Sequence, residues 1–248
     1  SSLNSYYGLL YSIIKKEKIK IRIDQDLFFL SIDNFRNLLL KKEIKLIKYL
    51  EIDKKSLHPI LIGRLASIEI AACKKMNINY DYVLNDLSTL IVSSKNHNID
   101  YLYEIKTISL LTKDFSLMEW IASHEKTYIS KVYSNNQVSS KNEIFWYDDF
   151  IFEEAYHFDH LQYSFILQLI LAIHKKKIRE ITSILKKIDK KKWVMSYYTY
   201  LDLFFQIGNY YSVENKKIKH IFLENYNKIT RNLNYPIFDQ NYLKNYFD

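Results

Sequence analysis

Three glycines (Gly8, Gly63, Gly208) and two prolines (Pro59, Pro236) are all that this chain of 248 residues contains. Tight turns draw on those residue types, because glycine reaches left-handed backbone without steric cost and proline pre-sets one torsion. Parallel-sheet enzymes and β-sandwiches need many such turns. A chain so poor in them is expected to run as long helices joined by short polar loops. Hydrophobic residues make up 48% of it, enough for one substantial core or two small ones, which excludes disorder of the whole.

The spacing of apolar residues agrees. Residues 3–16 recur with a helical period. "KIKIRID" (18–24) then alternates strictly, the period of a strand, and either pairs with "LFFLSI" (27–32) as a short hairpin or runs on as a connector. From Asp33 the period turns helical. Asp33 is read as the cap of a helix to about Glu51, with Phe35, Leu38, Leu39 and Leu46 on one stripe. His58-Pro59 opens the next helix, to about Lys75. Asn79 or Asp81 caps one ending near Ser94, Asn98 or Asp100 caps another through Leu111, and Asp114 opens "DFSLMEWIASHEKTYISKVY". The polar "SNNQVSSKN" (134–142) reads as a linker. A long helix to about His174 and shorter ones at 176–188, 191–208 and 215–231 follow.

The fold class is therefore expected to be all-α, with about ten helices packed as irregular helical hairpins and room for a short N-terminal β-hairpin. One helical domain covers 1–248, and the linker allows a sub-division into 1–133 and 143–248. "LLLKKEIKLIKYLEIDKK" (38–55) and "AIHKKKIREITSILKKIDKK" (172–191) echo one another, which suggests repeat-like stacking.

The chain holds few marks of chemistry. Its one cysteine, Cys73, lies in an apolar run and can make no internal disulfide, which suits a reducing cytoplasm. The longest apolar run, "YSFILQLILAI" (163–173), is too short to span a bilayer, so no membrane role is expected. Gly-rich phosphate loops, H-E-x-x-H and G-x-S-x-G are absent. Glu154 and His157 form a single E-x-x-H, and di-iron bundles need two. No metal, cofactor or enzymatic activity is expected.

Charge is more informative. The formal net charge is +8, with lysine clusters at 15–20, 41–48, 174–179 and 186–192. These lie where helices end, where the helix dipole favours cations. They admit a nucleic-acid-binding role through the lysine-rich helix ends. Against this background "EIFWYDDFIFEEAYHFDH" (143–160) carries six carboxylates and no Lys or Arg. Aromatic anchors beside charged groups are what binding hot spots use, and an acidic face complements a basic partner. Trp146, Tyr147, Asp148, Asp149, Glu153, Glu154, Tyr156 and Asp159 are the candidate partner-binding residues. The same pattern also fits a helix start with acids in its first turn and aromatics in the core.

In general character the chain resembles the immunity proteins of bacterial toxin–immunity pairs, of the contact-dependent growth inhibition type. The likeness lies in medium size, helical periodicity throughout, no catalytic signature and one acidic-aromatic stretch. The resemblance implies a cytoplasmic protein that binds a cognate toxin domain, about one to one. It would occlude the active site of that toxin, a nuclease with ribonuclease favoured. The chain departs from that class in one respect: immunity proteins against nucleases are commonly acidic, and this chain is basic.

Overall fold

In the computed structural model, residues 25–55, 57–94, 100–134, 164–190, 205 and 207–230 are described. Among them the fold is all-α, with no strand. No helix among the described residues is long and apolar enough to cross a membrane. The chain divides into two compact units, one of 1–19 with 26–126 and the other of 20–25 with 127–248.

Unit 1 is built on α1 (Gln25–Leu40), α2 (Pro59–Met76), α3 (Asp81–Ser93), α4 (Tyr103–Leu111) and α5 (Phe115–Ser134), with single 3-10 turns at Tyr49–Glu51 and Asp100–Leu102. The central element is α2. Its buried residues fall on almost every side, from Ile60 and Ile62 to Ala71, Ala72 and Cys73. A helix covered all round must have neighbours all round. Here α3, α4 and both 3-10 turns pack against it. Gly63 makes one of these approaches possible: a Cβ there would sit 2.4 Å from the Tyr101 carbonyl oxygen.

Three helix starts follow the sequence signals, but α4 does not: it begins at Tyr103 after Leu102 with no side-chain cap, Asp100 lies in the 3-10 turn, and Asn98 is outside the described residues. His58 caps α2, its Nδ1 accepting from the Ile60 N–H at 3.3 Å, with Pro59 at the first helical position. The Asn79 side chain accepts from the Asp81 N–H at 2.7 Å as α3 begins. Asp114 Oδ1 accepts from the Leu117 N–H at 3.0 Å and opens α5.

The helix ends explain how so few glycines suffice. Asn77, Lys113 and Lys176 each take positive φ (57°, 50° and 55°) just past a helix, and no described glycine does. The next N–H reaches back to close each end, Ile78 to Cys73 O at 2.8 Å, Asp114 to Ser109 O at 3.0 Å and Lys177 to Ala172 O at 2.9 Å. Asparagine and lysine thus fill the left-handed position that glycine commonly takes.

Two expectations fail at α1. Residues 27–32 lie inside this helix, so they form no hairpin strand, and Asp33 is an exposed mid-helix residue instead of a cap. Ile32 and Phe35, three apart, are both buried, whereas Asp33 is exposed. That is helical spacing already running before Asp33. The helix then ends at Leu40, not near Glu51. Lys75 Nζ donates to the Leu39 carbonyl at 2.5 Å, which favours an end there. Residues 41–48 are not helical, and Leu46, placed by the sequence on the apolar stripe, is 37% exposed. The echo between 38–55 and 172–191 breaks at the same place, because 178–190 is helical and 41–48 is not.

Unit 2 contains α6 (164–174), α7 (Ile178–Lys190), a helical turn at 207–211 and α8 (Lys216–Thr230). The apolar run read as a core helix is one: Phe165, Ile166, Leu167, Leu169, Ile170, Ala172 and Ile173 of α6 are buried. In α7, Ile181, Ile184 and Leu185 are buried. In α8, Ile218, Phe222 and Tyr226 recur every fourth position and are buried, and the two helices pack together. Phe205 meets Phe222 and Tyr226 edge-on, with ring centroids 6.0 and 5.1 Å apart.

Candidate functional site

All eight sequence-predicted partner-binding residues (Trp146, Tyr147, Asp148, Asp149, Glu153, Glu154, Tyr156 and Asp159) lie outside the described residues, as do His157 and His160. What the structure does bring together is a set of polar clusters in unit 1, none of which the sequence reading singled out.

The first centres on Glu69, 1% exposed in the middle of α2. Oε2 accepts from the Ile47 N–H at 2.7 Å. Oε1 accepts from the Tyr82 hydroxyl at 2.8 Å and lies 3.4 Å from the Tyr49 N–H. Tyr82 also meets Cys73 Sγ at 3.3 Å. A carboxylate taking several donors can be kept buried. Here it holds the non-helical segment before Tyr49 and the first turns of α3 onto α2. Burial pushes the Cys73 thiol up and the Tyr82 phenol well up, with the neighbouring Glu69 charge adding to both. Neither group is therefore primed as a nucleophile. The only sequence signal for this site is one acid in the apolar run "ASIEIAACKK".

The second cluster is Lys74, Tyr80 and Asp114. Asp114 Oδ2 takes both the Lys74 ammonium and the Tyr80 hydroxyl at 2.5 Å. Burial alone would raise this carboxyl. The hydrogen bonds from Lys74, Tyr80 and the Leu117 N–H more than offset it and hold the group below the usual carboxylate range. Asp114 therefore both caps α5 and joins it to α2.

Two buried ion pairs cross between helices. Arg64 Nη1 donates to Glu104 Oε2 at 2.9 Å, linking α2 to α4, and its guanidinium lies 4.5 Å from the Phe35 ring centroid on α1. Lys106 pairs with Glu125, linking α4 to α5, with both side chains 1% exposed. Glu104 is wholly buried, and its Oε1 has no hydrogen-bond partner. The guanidinium favours the charged carboxylate, but it reaches only the other oxygen. Burial dominates and pushes the Glu104 carboxyl up to about 8. Folding then favours proton uptake at Glu104. This contribution to stability is complete below the ordinary value of 4.5 and is lost as the pH rises through about 8. Glu104→Gln keeps the shape and removes the titration. Denaturant melts between pH 5 and pH 9 are expected to show a flatter pH dependence for this variant than for the parent.

Among the described residues, the arrangement nearest to a catalytic pair is Ser88 with His124. Ser88 Oγ lies 3.2 Å from His124 Nε2, and His124 Nδ1 lies 2.8 Å from the Trp120 carbonyl. With Nδ1 donating to that carbonyl, Nε2 is an acceptor and can take the serine proton. Acyl transfer also needs donors aimed at a developing oxyanion. Ser88 sits in the middle of α3, where the backbone N–H groups around it belong to the helix ladder. The bond ties α3 to α5, and the Trp120 ring covers the imidazole at 4.3 Å between centroids. No group of three or more His, Cys, Asp or Glu able to hold a metal ion occurs among the described residues.

Compared with known proteins, the chain matches no family model, no curated protein and no solved structure.

Proposed function

We propose that this protein is a non-enzymatic inhibitor that neutralises a cognate toxin domain, a nuclease with ribonuclease favoured, by stoichiometric occlusion of its active site. The observation that supports the reading is the stretch 143–160, with six carboxylates and no Lys or Arg in a chain of net charge +8. Among the described residues the buried ionisable side chains of Arg, Lys, Asp and Glu are Arg64, Glu69, Glu104, Lys106 and Glu125. Each of them bonds to a different element of unit 1. Groups held this way brace the interior of unit 1. They are poorly placed to act on a substrate.

The docking face in this reading is the acidic-aromatic stretch of the sequence. Asp148, Asp149, Glu153, Glu154 and Asp159 complement the cationic groups of a nuclease site, and Trp146, Tyr147 and Tyr156 anchor the contact. Truncating a central anchor such as Trp146 to alanine is expected to cost about 2–4 kcal/mol of binding. The combined replacement Asp148→Asn, Asp149→Asn, Glu153→Gln and Glu154→Gln should slow association and weaken its salt dependence. Calorimetric titration against a partner protein isolated by co-purification from the native host checks both. Unchanged affinity in the fourfold variant removes this face from the account.

A further inference from the structure

Among the described residues, charge is divided unequally between the two units. The described part of unit 1 within 26–126 carries thirteen Lys and Arg against thirteen Asp and Glu. In unit 2, residues 164–190 and 207–230 carry eleven Lys and Arg against four Asp and Glu. A net +7 thus sits on 51 residues whose apolar side chains form the interior of the α6–α7–α8 group. With Ile181, Ile184 and Leu185 of α7 and Ile218, Phe222 and Tyr226 of α8 packed inward, Arg179, Lys186, Lys216, Lys217 and Lys228 are left outward.

The outward residues fall in order. The turn from α6 to α7 exposes His174, Lys175, Lys176 and Lys177 in succession. Arg179, Ser183 and Lys186 then lie at i, i+4 and i+7 on α7, and all three are exposed. Lys216, Lys217 and Lys228 are exposed on α8. Two of the four acids are engaged within their own helical turns: Glu180 with Lys177 at 2.7 Å and Glu224 with His220 at 3.0 Å.

We propose that this surface of unit 2, from the 174–177 turn across α7 to α8, is a second interaction site, and that its partner is the phosphate backbone of a nucleic acid. The chemistry of the face selects that partner. Protein interfaces are depleted in lysine and rely on buried aromatic and arginine anchors. Seven of the ten outward residues named here are lysines, and none is Phe, Trp or Tyr. Membrane-surface helices set an apolar face toward the lipid. Here the apolar faces of α7 and α8 are occupied by packing, and among the described large apolar residues of unit 2 only Val213 and Leu223 are exposed. Lysines spaced along a surface neutralise phosphates one by one and release counterions, without reading sequence. The site does not depend on toxin binding and uses none of the residues assigned to it.

Fluorescence anisotropy of the full chain with labelled single-stranded RNA of about 20 nucleotides, longer than one site, is the test. The parent should bind RNAs of different sequence alike, with affinity falling steeply as salt rises. Arg179→Gln, Lys186→Gln, Lys216→Gln and Lys217→Gln together should weaken binding at least tenfold and reduce the salt slope by about 3. The control is Lys41→Gln, Lys42→Gln, Lys45→Gln and Lys48→Gln, which removes equal charge from exposed positions of unit 1. It should leave affinity within about twofold of the parent. Circular dichroism melts of both variants establish that they fold. Equal losses in the two folded variants overturn the proposal, because binding would then follow net charge alone. So does failure of the parent to bind RNA while immobilised poly-glutamate retains it, which would assign the face to acidic proteins.

Discussion

Replacement of Glu69 by alanine is expected to cost about 4 kcal/mol of folding stability, enough to unfold a marginal domain. The carboxylate accepts from the Ile47 N–H and the Tyr82 hydroxyl, with the Tyr49 N–H close by. Alanine leaves these donors without their acceptor at a site that is part-buried for Ile47 and Tyr82 and buried for Tyr49, and a buried donor without a partner costs about 1–3 kcal/mol. It also leaves a void in the central helix. Glu69→Gln keeps the volume but sets an amide N–H₂ against donors, so it should recover about half of the loss. Chemical denaturation of the two variants checks this ordering. Proteolysis adds a local readout: the 41–48 segment should become cleavable in Glu69→Ala before the rest of unit 1 does. If the two variants are equally stable, the carboxylate is not the tie that holds this segment.

Breaking the Lys106–Glu125 pair from one side should be comparably severe. Lys106→Ala leaves Glu125 buried without its lysine, for which about 3–5 kcal/mol is the usual cost. Removing both charges together is a different experiment. Lys106→Met with Glu125→Leu exchanges the pair for apolar groups of similar size, and such exchanges are often neutral or stabilising. The double variant is therefore expected within about 1 kcal/mol of the parent, or above it. The double-mutant cycle then carries a large coupling energy. A double variant as unstable as Lys106→Ala would mean that the surrounding packing, and not the pairing of charge, sets the stability of the α4–α5 contact.

Much of this architecture could be read from residue order. The His58-Pro59 start, the Asp114 cap and the apolar α6 are local signals, decided within one or two turns of chain. The errors at α1 have a different origin. The end of that helix at Leu40 is helped by Lys75, 36 residues away, and the segment after it is held by Glu69, more than 20 residues away. No local pattern records such a long-range tie. Asp33 looked like a cap because it precedes an apolar stripe, yet the stripe already includes Ile32. The left-handed ends at Asn77, Lys113 and Lys176 were hidden for a related reason, since lysine is an unremarkable residue in a lysine-rich chain. The buried pairs were equally silent: Arg64 and Glu104, or Lys106 and Glu125, become partners only once α2, α4 and α5 have been packed. The acidic stretch at 143–160 stands out in the sequence by composition alone, and it lies outside the described residues.

The most direct test of an occluding inhibitor is its stoichiometry. A toxin domain isolated as this protein's partner from the native host should be titrated with the purified protein while its nuclease activity is followed, with light scattering on the mixture. Activity is predicted to fall linearly and vanish at one equivalent, with a particle whose mass is that of one toxin domain plus one copy of this chain. Inactivation by far less than one equivalent, or full activity at a large excess with no joint particle, would contradict the account.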